Sequence, residues 1–514
     1  ETSVDGSKPA ATPTAAPAAP PADATRQAPS ISNVFAADAT SAKELQAEYA
    51  ELFFYEDGRT IKMFHSTGDC TFVMHTYDQN NRPQENRIIK GQNFDAQFNG
   101  KGQMQEFHAN QNVSVRLQPI GNSKKDDAAT RQMIYCDDLV ASFVPETGDI
   151  TEIHFNQNFK HVQGTRTVSS QKAIYTASDK KTNLIGDPEI VDPSFDITST
   201  NLDLYEDTSS IHATGNVKSS FVRSDNTPST FPFSSPSGQP VYISSEDMLW
   251  DSPKSEATYT EKAKLWQQKN VITASKIVIN DRERTLSAYE KVHTIFYNNK
   301  DDSQASGAQT KPATQTKPTT QTKPATQTKP AAQPQTKSGG TQTSSTQQLF
   351  SDDSVGNGPI SVDAGIMNYA EKDRVIHFEK EVKIVTQTTK INSDKADFFL
   401  KETVSEIDHL YAQGKVSITH EAKHGSGDHA TFFADERKLV LEGNPKLTEA
   451  GKADILGKVL TLFLADDRIL IDGQDDGRAS TTLNMKAGFN PSRSGQDKDS
   501  ASKPKTSTSK PEPD

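Results

Sequence analysis

Residues 364–385 read AGIMNYAEKDRVIHFEKEVKIV, and residues 427–448 read GDHATFFADERKLVLEGNPKLT. Each is a short alternating run, a charged turn, a second alternating run and a corner into a third. Alternation with period two sends every second side chain toward an apolar interior, the mark of a half-buried strand. The unit recurs as SQKAIYTASDKKTNLIGDPEIV (170–191), STNLDLYEDTSSIHATGNVKSSF (199–221) and ASKIVINDRERTLSAYEKVHTIF (274–296). In three copies a glycine falls 13 residues past the centre of the first strand: Ala173 to Gly186, Leu202 to Gly215, Ala430 to Gly443. Glycine at such a corner permits a positive φ or a bulge, so the chain can step to the next layer. With weaker copies near Gly68, Asn112 and Gly414, roughly eleven units of about 22 to 35 residues emerge, the size range of repeat architectures. Ser41–Ala50 is the only stretch with a helical pattern. The expected fold is therefore all-β and repeat-built, with each layer held mainly by its neighbours and with unpaired strand edges at both ends.

The repeats occupy part of a 514-residue chain that is 33% hydrophobic and 7% aromatic. Its 56 Lys+Arg against 68 Asp+Glu give a net charge of −12, which excludes a global field for gathering nucleic acid. No apolar run is long enough for a spanning helix. The sequence starts at Glu1, so a signal peptide or N-terminal anchor is expected to lie outside it. Three stretches lack the apolar content to offset ordering entropy: 1–35, rich in Ala and Pro; 300–356, with its KPATQT-type repeat; and the Ser/Lys/Pro tail 486–514. The middle one reads as a semi-stiff linker between two folded blocks, 36–299 and 357–485.

The second block is similar to the periplasmic lipopolysaccharide-transport bridge family, the LptA/OstA-like β-jellyrolls. The resemblance rests on PISVDAGIMNYAEKDRVIHFEKEVKIVTQTTKINSDKADFF (359–399), on the glycine turn in YAQGKVSITH (411–420), and on GDHATFFADERKLVLEGNPKLTEAGKADILGKVLTLFLADDRILIDG (427–473). The first block repeats the pattern more loosely at about twice the length, like an LptC–LptA-type fusion. Glu290-Lys291 and Glu379-Lys380-Glu381 depart from the family, standing where a Gly-Asn corner is usual. The resemblance implies a slightly twisted, V-shaped two-sheet stack in the periplasm, with the acyl chains of lipopolysaccharide in an apolar groove. It implies as partners an inner-membrane lipopolysaccharide transporter complex and an outer-membrane assembly protein, and head-to-tail joining of copies through edge strands. Neither catalysis nor a cofactor is implied. The expected groove lining is Ile376, Phe378, Val382, Ile384, Ile391, Phe398, Leu400, Val416, Ile418, Phe432, Leu439, Leu441, Leu460, Leu462 and Leu464. Period two fixes that these share a parity, but not which parity is inside. The same residues also suit a closed sandwich core, as in a structural scaffold that assembles through its edges without lipid.

Two motifs invite chemistry. His420-Glu421-Ala422-Lys423-His424 has the HExxH form of zinc hydrolases, whose histidines share a helix face. Here it follows the alternating run Lys415–Thr419 and precedes Gly425-Ser426-Gly427, the place of a hairpin loop. Cys70 and Cys136 lie in adjoining repeats. An oxidising compartment permits a bridge between them; the alternative is two separate buried thiols. Lysines such as Lys383, Lys390, Lys395, Lys446 and Lys458 are interspersed with acids and read as solvated strand faces.

Overall fold

The computed structural model describes residues 31, 34–35, 42–77, 82–119, 132–222, 240–297, 359–387, 389–401, 407–420, 423–433, 435–436, 438–449, 453–463, 468–473 and 480–483. Over these residues the chain is all-β, with 28 strands and no α-helix. Every pairing is antiparallel and all strands belong to one continuous ladder. Ser41–Ala50 contributes to strands rather than a helix: Ala42–Gln46 and Tyr49–Phe54 pair with the two halves of Ile61–Tyr77. Docking on a long edge strand overrides a marginal helical pattern.

Every second long strand carries two consecutive positive-φ residues near its middle, and there the register with its neighbours slips. Gly414 (φ 81°) and Lys415 (φ 48°) form one such corner, and Gly215 (φ 77°) with Asn216 (φ 50°) another. Glu290-Lys291 (φ 60° and 52°) and Lys380-Glu381 (φ 68° and 55°) adopt the same conformation without glycine. The departures from the repeat's Gly-Asn pattern thus keep its geometry and bear the left-handed backbone's steric cost of about 1 kcal/mol or more per residue.

The corners fold each strand over, so that its halves belong to two facing walls. Contacts across the interior show the facing: Ser219 Oγ lies 2.9 Å from Tyr259 Oη, and the rings of Phe296 and Phe378 are 6.3 Å apart. Side chains of the inward parity form one buried apolar cluster running the length of the stack. The opposite parity carries cross-strand pairs facing water, such as Lys395–Glu379 (2.9 Å) and His377–Asp397 (2.8 Å). Exposed pairs of this kind contribute little, and burial of the inward parity, about 1.5–3 kcal/mol per large side chain, holds the walls together.

The ladder does not stop at the expected linker. Strand Thr285–Tyr297 pairs with Pro359–Ala370 in eleven register pairs, from Thr285↔Ala370 to Tyr297↔Pro359. The 300–356 repeat, the tail 486–514 and most of 1–35 lie outside the described residues. Within 1–35, however, Ile31, Val34 and Phe35 are buried, at 1%, 0% and 5% exposure. Composition places these apolar groups in a solvated segment; they are instead packed into the stack.

Candidate functional site: an apolar row along the stack

An inward residue close to the outer rim of the first wall can be followed from strand to strand by register. It runs Leu52–Phe64–Ala96–Phe107–Ala141–Ile153–Tyr175–Thr182–Leu204–Ile211–Trp250. It continues Ala257–Ile279–Leu286–Tyr369–Ile376–Phe398–Leu410–Phe432–Leu439–Leu462–Ile469. Directly opposed residues of an antiparallel pair point to the same face, so the row is a physical stripe. At roughly 4.8 Å per strand it is about 100 Å long. Its members between the ends are at most 8% exposed, and Thr182 is its one aliphatic alcohol. Only the ends emerge, Leu52 at 51% and Ile469 at 39% exposure.

The facing row on the second wall differs in chemistry. There register links Lys43–Met74–Arg87–Leu117–Gln132–Gln163–Arg166. Arg87 Nε is 2.9 Å from Glu85 Oε2, and Arg166 Nε is 3.6 Å from Asp192 Oδ2. One residue deeper, His161 is 1% exposed, and its Nε2 has no hydrogen-bond partner among the described residues. Burial, with the nearby Arg166 charge, pushes its pKa down to about 4, so the imidazole stays neutral at pH 7. Farther along, Thr389, His420 and Lys423 sit in register on the same wall. The interior is therefore amphipathic from wall to wall, with an apolar rail facing an intermittently polar one.

Of the residues expected to line a groove, all but Leu464 lie among the described residues, and all fourteen are buried and inward. Ile376, Phe398, Phe432, Leu439 and Leu462 belong to the apolar row itself. Leu400 sits at the rim, and Phe378, Leu441 and Leu460 lie deeper on the first wall. Val382, Ile384, Ile391, Val416 and Ile418 lie on the second. Sequence reasoning missed the row's first half, because Phe107, Ile153 and Trp250 lie in the looser repeats. The alternation of Glu152-Ile153-His154-Phe155-Asn156 and Thr258-Tyr259-Thr260 was the available signal.

The HExxH reading fails on geometry. Ile407–His420 and Lys423–Phe433 are adjacent strands of a hairpin, pairing His420 with Lys423 and Thr419 with His424. His420 points inward beside Thr389 Oγ1 (3.1 Å), whereas exposed His424 points outward beside Thr419 Oγ1 (3.1 Å). Two histidines on opposite faces of a sheet cannot share one ion, and Glu421 lies outside the described residues. The cysteine bridge fails as well, for both thiols are free and buried. They sit on strands three ladder steps apart, about 14 Å at the usual spacing, whereas a disulfide needs Cα atoms within about 7 Å. Cys70 Sγ lies 3.4 Å from Gln92 O, and burial, followed by the charges of Asp138 and Asp137, pushes the Cys136 thiol up to about 12.

The later part of the stack has relatives among known proteins. Residues 361–468 match the family described as LptA/(LptD N-terminal domain) LPS transport protein. No curated protein matches the chain. Among solved structures it is similar to LptH of Pseudomonas aeruginosa, described as the LptA homologous periplasmic component of the conserved lipopolysaccharide transport device. The two are 12% identical over 25% of this chain and 94% of LptH, with a TM-score of 0.22. Residues 361–468 thus carry the sequence pattern of the LptA/LptD N-terminal family of lipopolysaccharide-transport proteins.

Proposed function

We propose that the chain carries lipopolysaccharide, or a related acylated glycolipid, through the periplasm with its acyl chains between the two walls. The observation that supports this most is the continuous row from Leu52 to Ile469, apolar along its length but for Thr182. Each methylene kept from water is worth about 0.8 kcal/mol, so a multi-acyl lipid is held wherever along the row it lies. A uniform row also offers no deep minimum, which suits a path more than a storage site. The second wall's polar positions give the cargo an orientation, with acyl chains against the first wall and ester, amide or phosphate groups toward Arg87, Gln132 and Arg166. The two ends fit a bridge. Strands Tyr49–Phe54 and Arg468–Asp472 each pair on one side among the described residues, with Phe53 (44%) and Leu470 (51%) exposed. Such edges accept a second copy, an inner-membrane transporter or an outer-membrane assembly protein by strand addition.

The close packing of the interior favours a second reading, a scaffold joined through its edges without lipid. Binding of purified lipopolysaccharide to the intact chain separates the two. For the carrier, Phe398→Asp should weaken binding at least tenfold, while Asp397→Asn on the outer face leaves it unchanged. A chain that binds no lipopolysaccharide, yet still polymerises end to end, would favour the scaffold.

A further inference from the structure

Almost every inward position of the stack is supplied by a strand of the ladder; Ile31, Val34 and Phe35 are exceptions. They lie outside any strand yet belong to the interior cluster. The Val34 N–H donates to Ile31 O (3.1 Å) in a single turn, and the Ile31 N–H donates to Glu206 Oε1 (2.5 Å). The Phe35 ring packs edge-on against Phe107 (5.4 Å) and Phe143 (5.6 Å), and Phe107 is a member of the apolar row. Beside Phe35 a cavity of about 220 Å³ remains, walled also by Phe72, Met74, Phe98 and Met104, with Lys43 on its lining. This is the end of the stack where Leu52 emerges.

We propose that the side chains of Ile31, Val34 and Phe35 are internal competitors for the lipid path. They fill space that an acyl chain takes on loading, and the cavity beside Phe35 is where that chain first seats. The inference rests on the carrier reading. Three observations converge on an acyl chain as the displacing ligand. One side of the cavity is apolar (Phe35, Phe72, Met74, Phe98, Met104 and Phe143) and meets the row through Phe35 on Phe107, three apolar side chains already pack there, and they can leave without breaking a ladder pairing. Because only the vacated state accepts cargo, apparent affinity is lowered by the fraction of molecules in which these side chains are out.

Myristate, a saturated acyl chain with an anionic head, serves as the probe, titrated calorimetrically into the full chain. The double variant Val34→Ser/Phe35→Ser should bind at least threefold tighter than the parent. Glu206→Gln, which weakens the Ile31 anchor and leaves the interior untouched, should shift affinity the same way by less. In a Cys70→Ala/Cys136→Ala background, Phe35→Cys should react with maleimide at least threefold faster when myristate is saturating. Equal affinities together with unchanged labelling of the thiol introduced by Phe35→Cys, while myristate still binds, would overturn the competitor and leave the carrier standing. No binding by any variant would overturn both.

Discussion

Tyr297 and Pro359 are register partners on neighbouring antiparallel strands, although residues 298–358 separate them in sequence. The low-complexity insertion therefore leaves and re-enters the ladder at one point. It joins two strands that pair in eleven register positions. The two blocks should behave as one cooperative unit. After cleavage at a protease site placed within 300–356, the halves are expected to co-elute in size-exclusion chromatography. Replacing 298–358 by a four-residue turn should not lower stability, since loop closure costs about 0.6 kcal/mol more per doubling of length. Halves that separate on cleavage, or two resolved unfolding transitions, would refute the continuous ladder.

The corners should respond asymmetrically to glycine. At Gly414 (φ +81°) an added Cβ would come within 2.5 Å of Asp394 Oδ2. Gly414→Ala should therefore destabilise by about 1–2 kcal/mol. Lys380, at φ 68°, has the same backbone with a side chain already present. Lys380→Gly is expected to be neutral or to stabilise by up to about 1 kcal/mol, as the relieved strain exceeds the added unfolded-state entropy. Urea midpoints at constant m-value measure both.

His161 makes stability fall in mild acid. Its folded pKa of about 4 lies below the ordinary 6.5. Between those values the unfolded chain binds the extra proton, so its contribution is complete above pH 6.5 and is lost as pH falls toward 4. The full effect is about 3 kcal/mol at about 1.4 kcal/mol per pH unit. Thermal unfolding of His161→Leu at about pH 7 and about pH 4.5 should show a smaller drop than the parent. An identical drop would mean that His161 titrates normally.

Cys70 and Cys136 should be silent thiols. With the Cys136 thiol pushed up to about 12 by burial and neighbouring carboxylates, almost no thiolate exists at pH 7. Native protein is expected to resist a thiol-specific reagent and to react at both positions in denaturant. The Cys70→Ala/Cys136→Ala variant should show no redox-dependent shift in melting temperature. A shift seen only in the parent would restore the disulfide.

Strand parity, the repeat and the second block's buried positions were legible because alternation in runs such as Leu460-Thr461-Leu462 directly encodes which side chains share a face. The hairpin linking Tyr297 to Pro359 was not, since pairing across a long insertion leaves no trace in local pattern. Corners at Glu290-Lys291 were obscured because tertiary pairing, and not glycine, imposes their positive φ. The burial of Phe35 was hidden by its Ala- and Pro-rich surroundings, where three apolar residues carry no periodicity. The hairpin at His420–His424 was legible from the alternating run before it and the Gly425-Ser426-Gly427 after it, and on a hairpin that spacing places the two imidazoles on opposite faces.

The row that crosses the junction offers the most direct test. A photo-crosslinking residue at Leu286, Tyr369 or Ile376 stands on successive strands of the rail, and the outward neighbours Ser287 and His377 serve as controls. Irradiation in cells should yield lipopolysaccharide adducts at all three inward positions and at neither control. Adducts at none of the three, or equally at Ser287 and His377, would contradict a continuous lipid path between the walls.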